Sequence, residues 1–213
     1  MDQKGHFFAF EGIDGSGKST QIQLLKERIE ATGVRCMETK EPTDGPVGSL
    51  IHQCMTGRTT ADEQTLAALF AADRLDHLLN ETDGLCQKLQ DGISIISDRY
   101  ILSNYAYQSV RVPLDWLIQL NAQATQLLKP DCYIFIDVDP EVSLERMAKG
   151  RFHTELYETK ERLSEVRNCY FDLFTQMQEQ EHIFIVNGNQ SVESISKDIW
   201  GHLAHYYDTW DQK

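Results

Sequence analysis

Apolar positions along the chain follow two different periods. Five short apolar runs, at 6–11, 34–39, 93–97, 132–138 and 182–186, read as strands. The third and fourth are nearly continuous, as expected of strands covered on both faces in a parallel sheet. The segments between them carry helical spacing. Residues 20–31 put Ile22, Leu25 and Ile29 on one face and run out at Gly33, a helix stop. Residues 62–80 carry Leu66, Leu69, Phe70 and Leu78. Residues 113–128 carry Leu114, Leu117, Ile118 and Leu120 and end before Pro130. Pro140 suits the first position of a helix over 140–148, and 161–180 and 191–206 complete the set. Residues 40–46, rich in proline and charge, read as a rigid turn. Strands alternating with helices predict an α/β fold, a doubly wound parallel five-stranded sheet flanked by helices with right-handed crossovers. With no repeat, low-complexity tract or linker, residues 1–213 read as one domain.

Composition narrows the partners. The formal charge is −13, with 33 acidic against 20 basic residues, which argues against a nucleic-acid surface. A few cations in a cleft still suffice for a small anionic substrate. The five cysteines are widely spaced, odd in number and form no C-x-x-C, which fits reduced thiols in a cytoplasmic protein. No signal peptide and no apolar run of bilayer length is visible, so no membrane partner is expected.

The chemistry begins where the first strand ends. Gly12-Ile13-Asp14-Gly15-Ser16-Gly17-Lys18-Ser19 is G-x-x-x-x-G-K-[ST] without a mismatch, between an apolar run and a helical one. The strand delivers the loop and a helix beginning near Thr20 receives it, so backbone N–H groups can converge on phosphate oxygens. Lys18 is expected on the β- and γ-phosphates and Ser19 on Mg²⁺. In a doubly wound sheet, ligands collect at the carboxyl ends of the strands. The third strand ends there in Asp98-Arg99-Tyr100. Asp98 could cap the next helix; beside a phosphate loop, it reads as the acid that orients metal-bound water or accepts a proton. Phe70 and Arg74 stand four apart on a helix, either as core ring and surface cation or as a nucleobase clamp. Ser103 with Tyr107, and Asn104 with Gln108, repeat that spacing on a polar face directly after Asp98-Arg99.

Taken in order, Phe-Glu-Gly-Ile-Asp-Gly-Ser-Gly-Lys-Ser-Thr-Gln, Lys-Glu-Pro, Phe-Ala-Ala-Asp-Arg, Asp-Arg-Tyr-x-x-Ser-x-x-Ala-Tyr-Gln and Lys-Pro-Asp closely resemble the thymidylate kinases over nearly the whole chain. The resemblance implies a P-loop kinase fold with a mobile lid and transfer of phosphate from ATP to dTMP with Mg²⁺. The ATP side would comprise residues 12–20 (Gly12, Ile13, Asp14, Gly15, Ser16, Gly17, Lys18, Ser19 and Thr20), and Asn187 near the adenine. The acceptor side would comprise Glu41, Pro42, Phe70, Arg74, Arg99, Ser103, Asn104, Tyr107 and Gln108. Phe70 would stack on thymine, Arg74 would meet the base edge, Arg99 would hold the acceptor phosphate, and Tyr107 would lie near the deoxyribose C2′. Lys18, Asp14, Asp98 and Arg99 would be catalytic, with Ser19 and Asp98 toward the metal. Some members carry an arginine directly after the loop aspartate; here that position is Gly15. The cation would then come from a lid at about 145–158, from Arg146 or Arg151, although a basic helix C-terminus has the same composition. The second-strand motif has Lys40 where arginine is frequent, and lysine lacks the planar fork for phosphate. Relatives commonly pair as homodimers, and the apolar stripe near 66–79 would serve either pairing or the core. Another nucleotide or nucleoside kinase is the nearest alternative. A regulatory NTPase is more distant, since no Asn-Lys-x-Asp guanine motif occurs.

Overall fold

A computed structural model describes residues 4–150 and 159–207. Five strands, β1 (Phe7–Glu11), β2 (Cys36–Lys40), β3 (Ser94–Asp98), β4 (Cys132–Asp137) and β5 (Ile183–Asn187), form one parallel sheet in the order β2-β3-β1-β4-β5. Around it lie α1 (Lys18–Ala31), α2 (Pro46–Met55), α3 (Glu63–Leu79), α4 (Leu85–Gln90), α5 (Ile101–Gln108), α6 (Leu114–Leu127), α7 (Pro140–Gly150), α8 (Lys160–Met177) and α9 (Val192–Leu203). The expected doubly wound α/β architecture is therefore present.

Side-chain alternation along β1 shows how the layers form. Phe7 and Ala9 enter one core with Tyr100, Phe135, Leu163 and Tyr170, under α3, α5, α6 and α8. Phe8 and Phe10 enter the other with Ile22, Leu25, Ile134 and Ile199, under α1 and α9. Period-2 alternation thus feeds two cores from one strand, and burying each such ring contributes about 1.5–3 kcal/mol. Strand β1 is buried throughout and β3 and β4 in all but their last residue, whereas β2 and β5 are half-exposed, as edge strands are.

Two helices depart from the expectation. Residues 46–55 form α2 directly after the expected turn, with Pro46 at its start and Gly48, Ile51 and Cys54 buried. Gly48 hides the signal, because glycine lowers helix propensity. It is required there: a Cβ would stand 2.0 Å from the Thr43 carbonyl oxygen. The second is α4, six residues long, too short for a period to register. The expected lid overlaps α7 as far as Gly150; its remainder, with Arg151, lies outside the described residues.

The chain starts in the sheet's centre. From β1 it moves to β2, returns to β3 beside β1, then crosses to β4 on the other side. The carboxyl end of β1 is therefore the point where the winding reverses, the place where such sheets bind ligands.

Candidate active site

The phosphate loop fills that crevice. Helix α1 opens after Gly17 without a side-chain cap, whereas α3, α8 and α9 are capped by Asp62, Thr159 and Ser191. Its first-turn N–H groups are thus available to an anion, reinforced by the helix dipole. Lys18 is buried, with Nζ donating to the carbonyls of Gly12 and Ile13 at 3.2 Å each. Burial and the nearby Arg99 cation lower its pKa, opposed by Asp98 and Asp14. A phosphate oxygen at Nζ would favour the charged form. Residues 14–21 line a cleft of about 900 Å³ that also takes in Arg146, Gln190 and Val192. Thr20 lies on that wall, exposed.

Ser19 and Asp98 meet across the cleft floor, Oγ donating to Oδ2 at 3.4 Å. The other oxygen, Asp98 Oδ1, is buried with no hydrogen-bond partner among the described residues and lies 4.0 Å from Lys18 Nζ. A hydroxyl and an under-satisfied carboxylate are hard oxygen donors, so this pair fits Mg²⁺.

Helix α7 closes one side of the loop. Ser143 Oγ donates to the carbonyl of Asp14. Arg146 bridges the loop and the segment after β5, donating to Ser16 O at 3.3 Å and Gly188 O at 2.9 Å. Gly15 has φ +74°, and a Cβ there would come within 2.7 Å of Ser143 O and 2.8 Å of Met147 Cγ. This packing leaves no room for a loop arginine, while Arg146 brings a guanidinium to the same cleft. Asn187 is exposed at the end of β5, and Asn187 O accepts from Gln190 Nε2 at 3.2 Å; Gln190, not Asn187, reaches the cleft wall.

Arg99 stands where the loop meets a second pocket. Its Nη1 donates to Gly12 O at 3.1 Å and Ser103 Oγ at 3.0 Å. Its Nη2 donates to Asp14 Oδ1 at 2.6 Å and Tyr107 Oη at 3.1 Å. Tyr107 in turn donates to Asp14 Oδ2 at 2.9 Å, and its ring centroid lies 4.8 Å from the guanidinium carbon. Burial opposes ionisation of Asp14, yet Arg99 and Lys18 hold its carboxyl below the usual range. Arg99 adopts φ +72°. That left-handed conformation costs roughly 1–3 kcal/mol for a non-glycine residue and persists only where surroundings hold it. The four hydrogen bonds supply that hold.

Glu11, which the sequence analysis passed over, anchors the same region. Its carboxylate accepts from the amides of Tyr100 (3.0 Å) and Ser103 (3.3 Å), from Ser103 Oγ (2.5 Å) and from Tyr170 Oη (2.8 Å). It caps α5 from β1, and burial pushes its pKa up despite these bonds. An acid ending an otherwise apolar strand was the available signal.

The second pocket is lined by Asp14, Glu41, Pro42, Met55, Phe70, Arg74, Arg99, Tyr100, Ser103, Asn104, Tyr107 and Gln108. Every expected acceptor-side residue therefore borders one cavity. Arg74 is buried and fully engaged: Nε and Nη2 reach Glu41 Oε2 at 2.9 and 2.7 Å, and Nη1 reaches Asn121 at 2.5 Å and Asn104 at 3.2 Å. Of the two sequence readings, surface cation or base clamp, the first fails, since the side chain is 1% exposed. Asn121 escaped notice because one polar residue on the apolar face of α6 carries no periodic signal. Met55 escaped with its helix. Asp73 accepts from the amide and hydroxyl of Thr43 at 2.8 and 2.6 Å, fixing the turn that carries Glu41 and Pro42.

Comparison with known proteins agrees with this geometry. The family model described as thymidylate kinase matches residues 10–199. A probable thymidylate kinase of Pyrococcus horikoshii is 37% identical over 208 residues, covering 95% of this chain and 97% of that one. One of Methanocaldococcus jannaschii is 36% identical over 200 residues, covering 93% and 96%. With a match spanning nearly the whole fold, and a phosphate loop opening onto a second pocket, the chain belongs to the thymidylate kinase family.

Proposed function

We propose that the protein transfers the γ-phosphoryl group of ATP to the 5′-phosphate of dTMP, giving ADP and dTDP, with Mg²⁺ as cofactor. The observation that carries this is the placement of Arg99, in contact with the phosphate loop at Gly12 and Asp14 and with the second pocket at Ser103 and Tyr107. A cation at that junction faces a phosphate already on the acceptor, which a nucleoside kinase would not need.

The residues act chiefly by positioning and by neutralising charge, which is what phosphoryl transfer asks of a protein. The loop amides and Lys18 hold the donor phosphates. Arg146, between Ser16 and Gly188, supplies the cation on the donor's other side, with Arg151 as a second candidate from the lid. Arg99 holds the acceptor phosphate, exchanging one of its Asp14 or Tyr107 bonds for it. Asp14 then takes up the deoxyribose hydroxyl side, and the ring of Tyr107 closes against C2′. Phe70 stacks on the base, while Arg74 holds Asn104 and Glu41 in place around it. Ser19 and Asp98 would hold Mg²⁺, which would neutralise charge on the donor phosphates.

A homodimer accompanies this reading. Leu79 at the end of α3 is 54% exposed, and α6 adds exposed Trp116 and Ile118, although Leu66 and Leu78 of the same stripe are buried in the fold. Unpaired thiols at all five cysteines fit the reducing cytoplasm. Among the described residues, no helix is long and apolar enough to cross a membrane.

Coupled ADP release measured across dTMP, dUMP, dCMP, dAMP and thymidine tests the assignment. Turnover should be fastest with dTMP and negligible with thymidine, and should vanish with excess chelator. Equal turnover of thymidine and dTMP would refute the role of Arg99. Light scattering at several concentrations tests the dimer.

A further inference from the structure

The amino ends of β4 and β5 lie at the sheet edge away from the phosphate loop, and four of the seven histidines gather there: His6, His182, His202 and His205. Sheet register brings the first two ligands together. Tyr133 stands opposite Ile183, so Cys132, the first residue of β4, lies beside His182. The Tyr133 amide donates to the His182 carbonyl at 2.8 Å. Helix α9 supplies the third, laying the His202 ring flat on Phe184 with centroids 4.0 Å apart and planes 8° from parallel. The Cys132 sulfur and one ring nitrogen of each histidine lie within 4.8 Å of one another.

The hydrogen bonding bears on how these groups would ligate: the Cys132 thiol donates to the Tyr133 carbonyl at 3.4 Å, a bond the metal would replace. His182 Nδ1 lies 3.1 Å from the carbonyl oxygen of Asp131, which can only accept. The Tyr206 hydroxyl, 3.3 Å from the same Nδ1, donates to that carbonyl at 3.0 Å, so it leaves Nδ1 free to carry the hydrogen. In that tautomer Nε2 presents its lone pair, the arrangement by which a backbone carbonyl fixes a ligating histidine. That lone pair faces His202 Nε2 at 3.0 Å. Two imidazole nitrogens so close need a proton or a cation between them. On one tetrahedral zinc ion, they would stand about 3.3 Å apart, a separation of a few tenths of an ångström from that seen.

We propose that Cys132, His182 and His202 bind Zn²⁺, with water in the fourth position, and that the ion ties α9 to the starts of β4 and β5. One thiolate and two imidazoles suit zinc and disfavour Mg²⁺, which the oxygen donors Ser19 and Asp98 suit instead. On binding, the Cys132 thiol loses its proton to solvent as the sulfur–zinc bond forms, and both Nε2 lone pairs coordinate. The hydrogen between the two rings moves to His202 Nδ1 through water. No electron is transferred. The site gains one net positive charge in a chain of −13.

Full-length protein stripped with chelator and titrated with Co²⁺ tests this, since cobalt reports the ligand set by its spectrum. One equivalent should produce tetrahedral visible bands and a sulfur-to-cobalt charge-transfer band. Zn²⁺ should displace the cobalt and raise the melting temperature. Cys132→Ser should abolish the charge-transfer band. His182→Gln, at an exposed position and checked for folding by circular dichroism, should weaken zinc binding by at least about 100-fold, the upper range for losing only an outer partner. Mg²⁺-supported turnover should be unchanged in His182→Gln. Absence of the charge-transfer band in the wild-type protein, or its persistence in Cys132→Ser, would overturn the proposal, as would unchanged zinc affinity in His182→Gln.

Discussion

Replacing Arg74 by methionine tests how the acceptor pocket is held together. The side chain is 1% exposed and its partner Glu41 is 2% exposed. Methionine keeps most of the apolar stem but removes both contacts to Glu41 and those to Asn104 and Asn121. Among the described residues, the Glu41 carboxylate then keeps only His77 Nδ1, at 3.2 Å. Breaking a buried ion pair by removing one partner costs about 3–5 kcal/mol, because the other charge stays buried and uncompensated. At roughly 2–4 °C per kcal/mol for a chain of this size, the melting temperature should fall by about 6–20 °C. Arg74→Met/Glu41→Gln removes the stranded charge and should recover at least half of the loss. Circular-dichroism melts and urea titrations of the wild type, both single variants and the double variant close the cycle. A single variant within about 1 kcal/mol of wild type, or a double variant whose loss is the sum of the singles, would refute the reasoning. Arg74 would then be a base contact alone, lost in dTMP binding but not in stability.

Four further outcomes follow from the same geometry. Lys18→Ala should leave a folded protein whose turnover is lower by on the order of 100-fold or more, the size of losing one donor to developing charge, and near-normal turnover would contradict the loop's role. Arg99→Lys keeps the charge but loses the fork that reaches Gly12, Ser103, Asp14 and Tyr107. KM for dTMP should rise about tenfold or more while ATP binding by calorimetry stays nearly constant, and equal loss of both ligands would indicate a structural role. Tyr107→Phe deletes the hydroxyl that donates to Asp14 but keeps the ring, so turnover should fall while the deoxy-to-ribo preference persists. Tyr107→Ala should relax that preference, and an unchanged ratio in a stably folded protein would remove the discriminator role. Arg146→Ala should lower kcat more than it weakens dTMP binding; if it and Arg151→Ala both turn over normally, singly and combined, the lid cation lies elsewhere.

Local sequence patterns determined a good deal. The phosphate loop was legible because its residues are contiguous and its glycines and lysine act through backbone geometry within one turn. The central strands were legible because burial on both faces leaves continuous apolar runs, and the long helices because an apolar stripe repeats over several turns. Spacing put Phe70 and Arg74 on one face of α3 but left open whether that face met solvent or a pocket.

Tertiary structure decided which of those faces meet. Arg99 is 85 residues from Asp14, and Arg74 is 47 from Asn121; neither separation carries a period. Their contacts depend on strand order, which sets β3 beside β1, and on α6 packing against α3. The same holds for Glu11, whose carboxylate leaves an apolar strand to cap a helix begun 90 residues later. It holds again for Cys132, His182 and His202, brought together only by the register of β4 on β5 and the seating of α9. A chain's periodicity records which side of each element is apolar, because that is set by local backbone geometry. Which polar groups face one another across elements is set by how the apolar sides pack, and that appears only once the chain has folded.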